Sequence, residues 1–297
     1  MRKKTLIFCM ICLFMVLCMG CGEEVSAKGK RVLVPTASGV EVYRSGSAVL
    51  DTSNKAEGYV MLNYSGANPK VKFQIKTPAG VTYTYLVTNY GTYQAYPLPG
   101  GNGTYSFAVY EAADVQRNLY AVALSQSVAV TIANGFQPFL YPSYYVSFND
   151  ASACVRKGEA LSSGCASDLD VVSSVYSFVT KNISYDNNKA ATVQSGYAPF
   201  PDNTLASGKG ICFDYASLMT AMLRSQQIPT RLEVGYVGNL YHAWISCYVA
   251  EVGWVDGIIQ FDGKNWTMMD PTMAAGNGSQ GVAKLKKEQG YATKYIY

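Results

Sequence analysis

The amino-acid sequence predicts an α+β protein, all-β in its first half and mixed in its second. Three observations lead there. Between residues 30 and 140, short runs rich in Tyr, Thr, Val and Phe alternate with turn formers. The stretch DLDVVSSVYSFVTKNISYD (168–186) carries apolar residues at helical spacing. Beyond residue 225 the pattern returns to short strands, so a helical segment precedes several antiparallel ones.

The chain has 297 residues, enough for two domains, each able to bury a core. At 49% hydrophobic and 15% charged it does not have the composition of a disordered chain. A formal charge of +4 is too weak to argue for nucleic acid. Lys284, Lys286 and Lys287 are the nearest approach to a basic run and read as a solvated helix face.

Arg2, Lys3 and Lys4 precede an apolar run (6–19) that is short for a bilayer span and right for a signal peptide occupying residues 1–27. Two endings fit. VSA (25–27) suits a small-residue cleavage site. LCMGC (17–21) resembles a bacterial lipobox, although Cys18 stands where that motif usually has Leu. Lipidation of Cys21 is favoured over simple secretion. Either ending predicts an extracellular or cell-surface protein whose one membrane contact is the anchor.

Residues 30–140 follow as a sandwich of immunoglobulin-like character. VTYTYLV (81–87) and GTYSFAVYE (103–111) read as strands, and SGANP (65–69) and PLPGGNG (97–103) as turns. The tyrosines are read as strand formers packing across strands rather than as a sugar-binding face. The proline- and aromatic-rich NGFQPFLYPSYYV (134–146) marks a boundary, and a second domain spans 145–297.

In that domain Leu169, Val172, Val175, Tyr176 and Val179 share one helical stripe, with Asp168 in the first turn. A loop rich in Asn, Gly and Pro runs through Asn203. GKGICFDYASLMTAMLR (208–224) then opens a helix, and TRLEVGY (230–236) and HAWISCYV (242–249) are strands. GIIQFDGKNWTMMDPT (257–272) is a hairpin with Asp262 and Gly263 at its turn.

The chain has eight cysteines, four of them in the signal segment. Cys154 and Cys165 flank a short polar stretch read as a loop and are a candidate disulfide. The mature body has no CxxC, and the chain's single histidine argues against zinc. Cys247 alternates with Ile245 and Val249 and reads as core.

Cys212 is the interesting thiol. Two glycines precede it, and it begins a helix, whose free N–H groups favour negative charge. His242 lies 30 residues on, at the start of a strand, so any Cys–His chemistry in this chain uses it. A third group should orient the imidazole. Asp270, beside Pro271 where a strand stops, is the candidate; Asp256 and Asp262 are rivals. Asp214 reads as a favourable first-turn acid with no catalytic role. Trp244 and Trp266 read as strand packing more than as site walls.

Taken together, GKGICFDYASLMTAMLRSQQIPTRLEVGY, YHAWISCYV, GKNWTMMDPT and the upstream NISYD resemble the core of the bacterial transglutaminase-like superfamily, over roughly residues 165–275. The resemblance implies a papain-like α+β fold in which Cys212 is the nucleophile, His242 the base and acid, and Asp270 the orienting carboxylate. It implies acyl transfer on protein or peptide amides, cell-wall peptide included, through a Cys thioester, by hydrolysis or amine exchange. The backbone N–H of Cys212 would be one oxyanion donor, and Gln194, Tyr197 or Tyr185 the second. No metal or organic cofactor is implied. Ile245 and Ser246 follow His-Ala-Trp here, where family members often continue with a polar or acidic residue. The alternative reading is an inactive scaffold serving as a cell-surface binding protein.

Overall fold

The computed structural model describes residues 32–250, 253–255, 259–261, 266–268 and 290–297. Residues 1–27, read above as a signal peptide, and Asp256, Asp262, Asp270, Lys284, Lys286 and Lys287 lie outside the described residues. No helix among the described residues is long and apolar enough to cross a membrane.

Eight strands come first: β1 (Val42–Ser45), β2 (Ala48–Asp51), β3 (Tyr59–Tyr64), β4 (Val71–Lys76), β5 (Thr82–Leu86), β6 (Gln94–Pro97), β7 (Gly103–Asp114) and β8 (Leu119–Val130). They form two four-stranded antiparallel sheets, in the orders β1-β2-β3-β6 and β5-β4-β7-β8. The period of two decides which faces meet. Val71, Phe73 and Ile75 of β4 point inward, as do Tyr105, Phe107 and Val109 of β7. Phe73 meets Tyr96 of the opposite sheet edge-on, with ring centroids 4.8 Å apart.

The second block opens with α1 (Ala153–Ser162) and α2 (Asp168–Asn182), whose buried stripe is Val171, Val172, Val175 and Val179. The stretch expected to be a loop holds β9 (Ser184–Tyr185) and two short helices, α3 (Asn187–Thr192) and α4 (Pro201–Ser207). Asp186 caps α3 by accepting from Lys189 N at 2.9 Å, and Pro201 starts α4 where its missing N–H costs nothing. Next come β10 (Lys209–Gly210), α5 (Cys212–Arg224), β11 (Thr230–Val237), β12 (Leu240–Val249), β13 (Gly253–Val255), β14 (Ile259–Phe261), β15 (Trp266–Met268) and β16 (Tyr291–Ile296). The main sheet runs β13-β12-β11-β16, all antiparallel. The expected hairpin exists as β14 paired with β15.

Helix α5 is buried on every side, from Asp214 to Arg224. It packs on α1, α2 and α4 on one flank and on β11 and β12 on the other. That explains a sequence apolar around much of its circumference. Trp244 is buried and packs edge-on against Tyr291, with centroids 5.0 Å apart. Cys247 is fully buried.

The candidate disulfide is not formed: Cys154 and Cys165 are both free. The segment between them is helix α1 rather than a loop. Eleven residues, mostly helical, put roughly 15 Å between the two at ~1.5 Å per residue, beyond the ~7 Å reach of a disulfide. The Cys165 thiol instead donates to Leu161 O.

Tyrosines join the two blocks. Tyr83 and Tyr85 of β5 meet Tyr145 and Tyr297, with centroids 5.5 Å apart for Tyr85–Tyr145 and for Tyr83–Tyr297, and 4.7 Å for Tyr145–Tyr297. Ile296 N donates to Tyr83 OH at 3.3 Å, and Tyr144 OH donates to Leu86 O. One continuous apolar core results. Most sandwich tyrosines are thus packing residues, as their strand propensity suggested.

Gly196 is another point of contact. Its φ is +89°, and a Cβ there would lie 2.2 Å from Leu86 Cδ1. Gly196→Ala is expected to destabilise by about 1–3 kcal/mol through strain and overpacking. Chemical denaturation checks this, and adding Leu86→Ala should return the part of the loss due to the methyl clash.

Candidate active site

Cys212 is the first residue of α5. Ile211, just before it, is extended (φ −96°, ψ 176°), and Tyr215 N donates to Ile211 O at 3.1 Å to close the first turn. The sulfur therefore stands at the end of the helix where N–H groups point outward. Leu218, Met219, Ala221 and Met222 are fully buried and hold that end in place.

His242 comes from β12, opposite Gly235 of β11. It is 4% exposed, and its Nε2 has no hydrogen-bond partner among the described residues. Contact between β12 and α5 brings the two side chains to one cavity of about 510 Å³. Cys212 and His242 both line it, with Tyr145, Tyr297, Phe213 and Ala243 around them. A further wall is the segment between α3 and α4, including Gln194 and Tyr197; Tyr185 also lines the cavity.

The electrostatics differ from expectation. Burial pushes the Cys212 thiol above its ordinary value. The backbone N–H groups of Ala243 and Phe213 pull the other way, and the Asp214 carboxylate adds to the rise. Burial pulls the His242 imidazole down to about 4. Within the described surroundings burial favours the neutral form of each group. The helix end does acidify, but desolvation outweighs it.

Asp214 is more than a first-turn acid. It is fully buried, and both carboxylate oxygens are used. Oδ2 accepts from Ile211 N at 2.8 Å and from Lys189 Nζ at 2.7 Å, and Oδ1 accepts from Tyr197 OH. Gly210 permits this, since a Cβ there would lie 2.6 Å from Asp214 Cβ. Lys189 was not anticipated from the sequence. Its spacing from Asp214 carries no periodic signal, so only the fold reveals the pair.

Of the three candidate oxyanion donors, Tyr197 is engaged by Asp214, and Gln194 Nε2 donates to Thr192 O at 2.8 Å. Burial raises the Tyr185 pKa, and the Cys212 and Asp214 charges raise it further. Trp244 does not line the cavity, in keeping with a packing role. Of the three residues expected to act together, Cys212 and His242 line one cavity; Asp270 lies outside the described residues.

The transglutaminase-like superfamily model matches residues 156–271. A stretch of 87 residues is 33% identical to the UPF0252 protein of Methanocaldococcus jannaschii, covering 27% of this chain and 24% of that relative's length. A solved candidate cysteine protease from Cytophaga hutchinsonii superposes with a TM-score of 0.39 at 17% identity, over 87% of this chain and 74% of its own. A solved candidate protease from Parabacteroides distasonis gives 0.31 at 15% identity, over 65% and 35%. Residues 156–271 of this chain, which carry both Cys212 and His242, form a transglutaminase-like domain.

Proposed function

We propose that this protein is a cysteine acyl-transfer enzyme acting on protein or peptide amides. The observation that supports it best is the joint exposure of Cys212 and His242 to one cavity, with backbone N–H groups beside the sulfur. Cys212 Sγ attacks the amide carbonyl carbon while its proton passes to His242. The oxygen's developing charge is met by the N–H groups at the α5 end. As the C–N bond breaks, His242 returns the proton to the leaving amine, and a thioester remains. Water or a second amine then attacks, giving its proton to His242, and the released sulfur is reprotonated. Hydrolysis is the favoured outcome because it needs no second binding site. The natural substrates include cell-wall peptide, met outside the cytoplasm by a secreted or Cys21-anchored protein.

Asp270 is assigned to orient the imidazole. The buried Nε2 of His242 needs an acceptor, β14 packs near β12, and Asp270 follows the end of β15 by two residues. A carboxylate there raises the His242 pKa above the value of about 4 set by burial. The acid limb of kcat/KM should therefore move to lower pH in Asp270→Asn, because activity needs the neutral imidazole. An unmoved limb would remove Asp270 from the mechanism.

The reading as a whole is tested by incubating casein or cell-wall peptide with the full chain, with and without dansylcadaverine. Release of fragments or ammonia marks hydrolysis, and dye incorporation marks transamidation. Neither, with either substrate, counts against the substrate class.

A further inference from the structure

The carboxylate of Asp214 ties together three segments that are separate in sequence. Ile211 N belongs to the start of the nucleophile helix, Lys189 Nζ to α3, and Tyr197 OH to the wall of the cavity. Lys189 closes the triangle by donating to Tyr197 OH at 2.5 Å, with its ammonium 4.3 Å from that ring's centroid. Lys189 is 30% exposed along its side chain, whereas Asp214 has no exposure, so the carboxylate is the fixed point and the other groups gather on it. The wall so held carries Gln194 and Gly196, and on its far side Gly196 packs against Leu86 of the sandwich. The wall is clamped at both edges, once to the helix that presents Cys212 and once to the other block.

We propose that Asp214, with Lys189 and Tyr197, is a positioning residue that sets the distance between the cavity wall and Cys212 for a peptide-sized acyl donor. The proposal rests on the acyl-transfer reading above. None of the three side chains moves a proton in the reaction. Their effect is geometric: a wall displaced by a fraction of an ångström still admits a small reagent but no longer aligns a bound carbonyl.

The test uses the full chain and two alkylating probes of Cys212, followed by mass spectrometry. Iodoacetamide reaches the sulfur without needing the wall; a tetrapeptide chloromethyl ketone must be aligned by it. Tyr197→Phe keeps the ring and loses only the hydroxyl. It is expected to slow the peptide probe about tenfold while leaving the iodoacetamide rate within about twofold. Lys189→Met should do the same, and Lys189→Arg should recover most of the loss. Thermal melts accompany each variant. Should both probes slow together with a falling Tm, the triangle is merely structural and the proposal fails. Equal peptide-probe rates in wild type and Tyr197→Phe overturn the proposal alone. A peptide probe that labels wild type no faster than His242→Ala overturns the acyl-transfer reading, and the proposal with it.

Discussion

Cys212→Ala is expected to lower kcat/KM by at least about 10³-fold, with the fold intact. The sulfur is the only proposed group able to form the thioester. The residual rate would come from binding and the N–H groups at the α5 end, which do not by themselves bring a nucleophile. Stability should change little, because Cys212 is half-buried and holds no covalent cross-link. Amide hydrolysis measured beside a urea melt separates the two effects. Retained turnover in Cys212→Ala would mean that the cavity works without a thiol nucleophile.

Arg224→Met is expected to act in the opposite way, costing stability first. The guanidinium is fully buried at the last residue of α5. Nε donates to Thr230 O at 2.9 Å, Nη1 to Tyr141 O at 2.8 Å and Nη2 to Tyr297 O at 2.7 Å. It thereby ties the segment linking the blocks, the first strand after α5 and the end of β16 to one helix. Burial draws its pKa down to about 9, which still leaves it charged at neutral pH. Methionine would fill much of the volume and supply no donor. Buried carbonyls losing a partner cost about 1–3 kcal/mol each, so a total of about 3–5 kcal/mol is expected. The urea midpoint checks it; a shift under about 1 kcal/mol would mean that the carbonyls find other donors.

The two variants illustrate how differently site and scaffold are encoded. Strands of the sandwich are legible because a strand with one buried face alternates, as Tyr105, Phe107 and Val109 do. Helix α2 is legible for the analogous reason at a period of 3.6, and α5 by its long apolar run after two glycines. The stretch between residues 187 and 207 was not, because α3 and α4 are one or two turns long. Elements so short owe their form to caps and tertiary contacts, not to periodicity. The segment from Cys154 to Cys165 was misread for a related reason: its polar residues suggested a loop, yet Cys154, Val155 and Gly158 are buried against neighbours.

The sequence by itself determined the longer periodic elements and the identity of the chemical groups. A lone histidine leaves no choice of imidazole, and a thiol at the head of an apolar helix stands out among the cysteines. Tertiary structure alone decided their state and their company. Whether Cys212 rests as thiol or thiolate depends on how much water the cavity excludes, a property of packing that no local pattern carries. The same holds for Asp214, whose partners are 25 and 17 residues away. It holds too for the aromatic seam of Tyr83, Tyr85, Tyr145 and Tyr297, in which Tyr83 and Tyr297 meet across most of the chain. Periodic burial is written along the chain, whereas a buried charge finds its partner only after distant segments have packed.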